Sequence, residues 1–174
     1  ARLIDGAAGR GLVMEDWDHD TWAHGVTHFN DQVGRFGEAE VSIVEQGPVR
    51  CVVRGKTVYG DSALTQDFIL YDGAADLTVQ VTLDWREKHK VLKLAFPVAV
   101  SDPTSFYEIP YGMIERPCNG TEEPGLNWIA VCGKSDDAPR GLALLNDGKY
   151  SFSVDGSEMR LTAARSAIYA DHGG

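Results

Sequence analysis

Apolar and polar residues alternate with a period of two over much of this chain. The clearest stretch is residues 76–85, where one side carries only polar residues and the other only apolar ones. The apolar side consists of Val79, Val81, Leu83 and Trp85. Because side chains of a strand point alternately to opposite faces, the stretch predicts a strand whose apolar side is buried.

Residues 91–100 predict a second strand of the same kind. Its apolar face is formed by Leu92, Leu94, Phe96, Val98 and Val100. A shift of one residue in register would put such a set into water, so the pattern specifies which face is inside. We therefore expect Leu94 and Phe96 in the core, together with the apolar side of 76–85.

Further short apolar runs are separated by turn residues and predict additional strands. These runs cover 11–17, 41–43, 49–59, 64–71, 128–132, 141–145, 150–154 and 159–165. Asp147-Gly148 and Asp155-Gly156 predict hairpin turns, because Asp-Gly pairs readily adopt positive φ. No segment has a sustained helical period. The fold class predicted is all-β, a large antiparallel β-sandwich that occupies residues 1–174 as a single domain.

Residues 107–117 differ from the rest of the chain in composition. They contain two prolines, one glycine, two tyrosines, two glutamates and one arginine. This composition predicts a structured loop, and loops on a rigid scaffold often carry binding groups. Tyrosine rings suit stacking on sugars, and charged groups suit their hydroxyls. The candidate substrate-binding residues are Arg116, Tyr111, Glu108 and Tyr107.

Composition and charge exclude several classes of partner. The 174 residues carry a formal net charge of −10, whereas nucleic acids and anionic membranes require a basic surface. No apolar run approaches the length of a membrane span. The three cysteines are widely spaced, which favours free thiols and a cytoplasmic location.

A cluster of histidines and aspartates near the N-terminus is the first candidate metal site. It comprises Asp16, Asp18, His19, Asp20, His24 and His28. Such residues can bind zinc, but the chain has no second cluster of ligands. We favour the alternative, a surface loop with Trp17 and Trp22 anchored in the core, and predict no metal ligand in this chain.

Paired carboxylates are the second candidate for chemistry. Asp84 with Glu87, or Glu108 with Glu115, would be the residue types that glycoside hydrolysis requires. We favour instead carboxylates held by neighbouring arginines and lysines. The chain also lacks a nucleophile elbow, a phosphate-binding loop and a dinucleotide fingerprint, so no catalytic residue is assigned.

Six segments, in this order along the chain, together resemble one known family. They are WDHDTW (17–22), GPVR (47–50), DWREKHKVLKLAFP (84–97), YEIPYGMIERP (107–117), GLALLND (141–147) and RLTAARS (160–166). The chain resembles the C-terminal β region of the glycoside hydrolase family 38 α-mannosidases of the bacterial and cytosolic type. The resemblance implies a supersandwich of the galactose-mutarotase-like class.

The resemblance also implies an activity for the protein from which this chain comes. Members of the family hydrolyse terminal α-mannosides with retention, using an aspartate nucleophile and one zinc ion that belong mainly to an N-terminal catalytic domain. The family's metal motif places a histidine two residues before an aspartate, whereas His19 and Asp20 are adjacent. We therefore expect a fragment of a longer multidomain enzyme that is inactive alone and whose partners are that catalytic domain and an α-mannoside.

Two other functions remain open at this point. One is a free-standing carbohydrate-binding module of the same fold. The other is a mutarotase-like enzyme, which would need a histidine and a glutamate facing each other across the sheet, with His89 and Glu115 as the pair. The sequence also leaves a homo-oligomer open. In the α-mannosidase interpretation, loop 107–117 reaches the catalytic cleft and Arg116 lies nearest to the substrate.

Overall fold

The computed structural model describes residues 2–17 and 19–168, and every helix or strand assigned in them is a β-strand. The fourteen strands of the described residues are β1 (Arg10–Glu15), β2 (Gln32–Arg35), β3 (Glu40–Gln46), β4 (Arg50–Tyr59), β5 (Ser62–Tyr71), β6 (Thr78–Asp84), β7 (Lys90–Pro97), β8 (Ser101–Ile109), β9 (Gly112–Arg116), β10 (Glu123–Pro124), β11 (Trp128–Ser135), β12 (Ala138–Leu145), β13 (Ser151–Asp155) and β14 (Glu158–Arg165). The predicted all-β fold class is confirmed.

The strands form three sheets whose described pairings are antiparallel. A six-stranded sheet has the order β10-β13-β14-β7-β1-β2. A four-stranded sheet has the order β12-β11-β8-β9, and a second one has the order β3-β4-β5-β6.

Two compact units make up the described chain. Residues 2–33 and 89–168 belong to the first unit, which contains the six-stranded sheet and the β12-β11-β8-β9 sheet. Residues 34–88 belong to the second, which contains the β3-β4-β5-β6 sheet. The assignment of residues 1–174 to a single domain stays a prediction.

In the first unit the two sheets face each other across an apolar core. The ring of Tyr107 on β8 meets that of Phe152 on β13 edge to face, with 6.2 Å between the centroids. Strand β7 lies inside the six-stranded sheet and is buried on both of its faces. The predicted burial of Leu94 and Phe96 is therefore confirmed, and this pair of sheets is the predicted antiparallel sandwich.

A second apolar cluster covers the opposite face of the six-stranded sheet. The buried side chain of Phe29 packs there on residues of β1 and β7, with Val26 beside it. The strand residues of this cluster are Leu12, Met14, Val91 and Ala95. The segment 16–29 between β1 and β2 is thus held against the sheet by its own apolar residues.

The second unit contains a single antiparallel sheet with one polar and one apolar face. The predicted strand at 76–85 exists as β6, and its alternation is visible in the exposures. However, Val79, Leu83 and Trp85 are only half-buried and Val81 is exposed, so the prediction that this set is buried was wrong. The physical reason is that residues 34–88 contribute no second sheet to cover this face.

Two local predictions are corrected by the strand pairings. Asp147-Gly148 is not a hairpin turn, because β12 and β13 belong to different sheets. Asp155-Gly156 is one, since β13 and β14 pair directly and Gly156 has a φ of 58°. The strand predicted at 91–100 ends at Pro97, whose nitrogen carries no hydrogen for the ladder.

Candidate functional site

Residues 107–117 form most of a β-hairpin and not the predicted loop. Strands β8 and β9 pair down to Ile109 and Gly112, and the connection consists of Pro110 and Tyr111. Proline holds φ near −65°, and Tyr111 follows with a φ of 68°, which is the φ combination of a type II turn. This turn presents the fully exposed ring of Tyr111 at the tip of the hairpin.

The hairpin separates the four candidate binding residues. Residues directly opposite each other in a ladder lie on the same face, and Ser105 is paired with Arg116 and Tyr107 with Ile114. Arg116 and Tyr107 therefore share the face that looks toward the six-stranded sheet, whereas Glu108 lies on the other face. Tyr111 belongs to neither face, so the structure does not gather the four residues into one site.

The Arg116 guanidinium contacts three residues. Its carbon lies 4.9 Å from the centroid of the Tyr107 ring, and Nη1 donates a hydrogen bond to the backbone oxygen of Pro124. Nη1 is also 3.4 Å from Oε2 of Glu123. Within residues 2–17 and 19–168, Nη1 is the only atom of this guanidinium with a hydrogen-bond partner. Nε–H and the Nη2 hydrogens are left for another acceptor.

Tyr107 lies entirely inside the first unit. Its side chain has no exposed surface, and its hydroxyl has no hydrogen-bond partner among the described residues. Burial raises the pKa of this phenol, and the negative charge of Glu123 adds to the effect, so the hydroxyl is neutral. The structure gives Tyr107 a packing role beneath Arg116, and its role as a stacking surface for sugar stays a prediction.

Glu108 orders the segment that follows β10. Its Oε2 accepts a hydrogen bond from the N–H of Asn127 at 2.6 Å, and its backbone oxygen accepts one from Leu126 at 3.1 Å. Glu115 lies on the same face as a diagonal neighbour, opposite Phe106. The Glu108 carboxylate therefore has a structural partner in the Asn127 backbone, and no catalytic role is assigned to the pair.

The candidate metal cluster is organised as a salt bridge. Asp16 is fully buried, and its carboxylate accepts hydrogen bonds from Nε of Arg165 at 2.8 Å and from Nη2 at 3.1 Å. His19 Nδ1 lies 3.1 Å from Oδ1 of the same carboxylate. In the described part of the chain, no group of three or more His, Cys, Asp or Glu is placed to hold a metal ion. Asp18 lies outside the described residues.

The tryptophans of this segment are exposed, which corrects the expectation that the core anchors them. Trp22 is 70% exposed, and Trp17 also has nearly half of its surface in solvent. Trp22 stacks on the His24 ring with centroids 6.2 Å apart, and Asp20 Oδ2 lies 2.8 Å from His24 Nδ1. The hydrogen bond from the His24 backbone lowers the pKa of Asp20. The segment is anchored by Phe29 instead.

Sequence reasoning missed a buried lysine beneath the same segment. Lys93 of β7 has no exposed surface, and its Nζ donates to Oε1 of Glu122 and lies near the hydroxyls of Ser153 and Thr162. Burial lowers the pKa of this lysine. The sequence does contain a signal for this buried ion pair, because a lysine in the middle of an apolar strand such as β7 needs a buried partner.

The Phe29 ring makes cation–π contacts with both Lys93 and Arg165. Nζ of Lys93 is 5.6 Å from the ring centroid, and the guanidinium carbon of Arg165 is 5.7 Å from it. Arg165 also donates to the backbone oxygens of Asp20 and Thr21 at 2.6 and 3.0 Å. Segment 16–29 is therefore held by charged groups of the six-stranded sheet as well as by apolar packing.

The remaining catalytic candidates are engaged with other groups or lie in different sheets. Asp84 is held by Arg86, whose hydrogen bonds lower the pKa of the carboxyl, so the favoured interpretation of this aspartate is confirmed. Glu87 accepts a hydrogen bond from Ser62 at 2.8 Å. His89 immediately precedes β7 of the six-stranded sheet, whereas Glu115 lies on β9 of another sheet, so the two do not face each other across one sheet.

The comparison with protein families identifies the class of this domain. The model described as the glycosyl hydrolases family 38 C-terminal domain matches residues 10–173. The chain belongs to this family.

Its relatives are α-mannosidases. The chain is 34% identical to alpha-mannosidase 2C1 of Homo sapiens over 94% of its length, and 29% identical to alpha-mannosidase G of Dictyostelium discoideum over 93%. An alpha-mannosidase of Saccharomyces cerevisiae is 27% identical over 72% of the chain.

The match covers only a small part of each relative. This chain spans 16% of the human and Dictyostelium proteins and 12% of the yeast protein. In those proteins the domain is therefore one part of a much larger polypeptide. Among the described residues of this chain, no helix is long and apolar enough to span a membrane.

Proposed function

We propose that this chain is the C-terminal β domain of a retaining α-mannosidase that hydrolyses terminal α-mannosides. The observation that carries the proposal is the family match over residues 10–173, together with relatives that are called α-mannosidases. Among the described residues no group is placed to hold a metal ion, and no catalytic carboxylate is assigned. The reaction therefore belongs to the complete polypeptide, and this domain supports it.

The catalytic domain of the same polypeptide holds the nucleophile and the zinc ion in this proposal. The residues described here do not fit zinc, since Asp16 is already paired with Arg165. No step of the reaction is assigned to a metal in this chain. Free cysteines at 51, 118 and 132 support a reducing, cytoplasmic compartment.

The β8–β9 hairpin is the part of this domain that we assign to carbohydrate contact. Its tip carries the exposed Tyr111, and Arg116 sits at its base with a side chain that is 15% exposed and with no described acceptor for Nε or Nη2. A guanidinium held by Tyr107 and Pro124 loses little conformational entropy when it binds two hydroxyls. Glu108 acts by ordering the adjoining segment, through Asn127.

The test compares the complete polypeptide with the 174-residue chain. We expect the complete polypeptide to hydrolyse an aryl α-mannoside and to release the α-anomer first, as seen by NMR, and to contain zinc by elemental analysis. The 174-residue chain is expected to do neither. Release of the β-anomer would overturn the retaining mechanism, and hydrolysis or stoichiometric zinc in the short chain would overturn the assignment of catalysis to the other domain.

A further inference from the structure

The sheet of the second unit has two faces of opposite chemistry. Cross-strand partners lie on the same side of a sheet, so the register of β3 to β6 sorts their side chains. One face carries charged residues, among them the Arg54–Asp67 and Arg50–Glu45 ion pairs. The other face, called the apolar sheet face here, is uncharged and has the buried Gln66 at its centre, with Cys51 and Thr57 also on it. Its apolar residues are Val41, Ile43, Val53, Leu64, Phe68, Leu70, Val79, Val81 and Leu83. In strands β3 to β6, no charged side chain lies on this face.

Much of the apolar sheet face is open to solvent. Val41 is 66% exposed and Ile43 is 63% exposed, and Leu70 and Val81 are also exposed. Only Leu64 of this set is fully buried. A contiguous apolar surface of this kind is rare on a protein that is complete as a monomer and marks a site of contact.

We infer that the apolar sheet face packs against an uncharged, apolar surface formed by the part of the same polypeptide outside these 174 residues. The inference rests on the proposed function, in which the domain is one segment of an α-mannosidase. The relatives are about six times as long as the part of them that matches this chain, so most of their polypeptide is available as a partner. A covalently attached partner also has a high effective concentration.

Two features disfavour a second copy of this chain as the occupant. The net charge of −10 on each copy opposes self-association. The exposed edge strand β3 carries the charged residues Glu40 and Glu45 and a bulge between Ile43 and Glu45. Charges and bulges on an edge strand hinder its pairing with a strand of another copy. The contact is therefore made through the face of the sheet and not through its edge.

The absence of charge on the face determines the chemistry of the partner surface. Burying a carboxylate or an ammonium group against Val41 or Leu70 without a partner would carry a large desolvation cost. Sheets that pack face to face lie about 10 Å apart and interleave apolar side chains from both layers. The segment that covers this face is expected to present its own row of apolar residues.

Thiol labelling of the complete polypeptide tests the inference. Two variants, Ile43→Cys on the apolar sheet face and Ser42→Cys on the opposite face of the same strand, are treated with a maleimide, and the modified peptides are quantified by mass spectrometry. We expect residue 43 to react at least about tenfold more slowly than residue 42 in the native protein and equally fast in urea. The pair Val81→Cys and Thr82→Cys repeats the comparison on β6 if a variant of β3 fails to fold. Equal native rates in a folded pair overturn the inference.

Photo-crosslinking identifies the occupant. A diazirine amino acid at position 43 of the complete polypeptide is expected to give crosslinks to residues outside the 174-residue segment, within the same molecule. A mixture of isotopically light and heavy protein distinguishes these from crosslinks between two copies. Crosslinks only between copies, crosslinks that all stay within the 174 residues, or no protein crosslinks overturn the inference.

The activity assay separates this inference from the proposed function. A complete polypeptide without α-mannosidase activity but with protected residue 43 would refute the function and leave the packing in place. An active enzyme in which residues 42 and 43 react equally would refute the packing alone. In the same background, Ile43→Asp is expected to lower the thermal midpoint, whereas Ser42→Asp is expected to leave it unchanged.

Discussion

Arg165 and Asp16 form a two-point ion pair that joins strand β14 to the segment that follows β1. Nε of Arg165 lies 2.8 Å from Oδ2 of Asp16, and Nη2 lies 3.1 Å from Oδ1. The two residues are 149 positions apart in the sequence. Because the same guanidinium also donates to the backbone at Asp20 and Thr21, it closes the loop that carries the exposed Trp17 and Trp22.

Replacing Arg165 with methionine should loosen segment 16–29. The change leaves the buried Asp16 carboxylate without its guanidinium partner, at a cost of about 3 kcal/mol, which corresponds to roughly a hundredfold in an equilibrium constant. Hydrogen exchange of the backbone amides of 16–29 in the complete protein should accelerate by about that factor. Arg10→Met, on the more exposed pair with Glu158, is the control and should leave these amides unchanged. Unaltered exchange in the Arg165 variant would show that Phe29 alone holds the segment.

Replacing Tyr107 with phenylalanine should stabilise the domain or leave its stability unchanged. The variant lacks a buried hydroxyl that has no partner in the described structure, and such a group costs about 1–3 kcal/mol. A loss of more than about 1 kcal/mol of stability would show that the hydroxyl makes a contact outside the described residues.

The same variant should alter the dependence of stability on pH. Burial raises the pKa of Tyr107, so the folded protein keeps this proton above about pH 10 while the unfolded chain loses it. Stability of the unchanged protein therefore falls as pH rises through this range, by up to about 1.4 kcal/mol per pH unit from this group. Urea midpoints measured from about pH 8 to about pH 11 should fall less steeply in Tyr107→Phe than in the unchanged protein, and equal slopes would contradict the role of this buried phenol.

Replacing Arg116 with alanine in the complete enzyme should lower kcat/KM by about tenfold or more, which is roughly 1.4 kcal/mol of transition-state binding. The reason is the loss of a fixed guanidinium at the base of the β8–β9 hairpin. Arg140→Ala, on β12 of the same sheet, is the matched control and should retain full activity. If kcat/KM of Arg116→Ala is unchanged and the hairpin remains folded, Arg116 serves only to join β9 to Glu123 and Pro124.

Replacing Tyr111 with glycine should weaken substrate binding without lowering the stability of the protein. Glycine adopts the positive φ of this position without the cost of about 1 kcal/mol that an L side chain carries there. The thermal midpoint should therefore rise or stay constant, while KM for an aryl α-mannoside rises because the exposed ring is lost. Tyr111→Phe keeps the ring and should keep KM, and equal KM values in all three proteins would contradict a role of the ring in binding.

The sequence by itself determined the family and ten of the fourteen described strands, and it missed β2, β8, β9 and β10. The alternation of apolar residues located β1, β3 to β7 and β11 to β14 to within a few residues, because each strand has one face that must avoid water. It did not locate β8 and β9, since Pro110 and the charged residues of 107–117 are typical of a loop. In the structure the proline occupies a turn, and the charges lie on an edge strand where they are tolerated.

Only the tertiary structure decided which apolar faces are covered and which polar groups are paired. Both β6 and β7 carry an alternating apolar set, but β7 also has Val91 and Ala95 on its other face and is buried on both sides. Strand β6 has polar residues on its other face and lies on a sheet whose apolar face is partly open. Alternation shows that one face of a strand is more apolar than the other, but it does not show whether a second sheet covers that face. Likewise, the partners of Arg165 and Lys93 are 149 and 29 positions away, so their pairing depends on the strand order and could not be derived from local spacing.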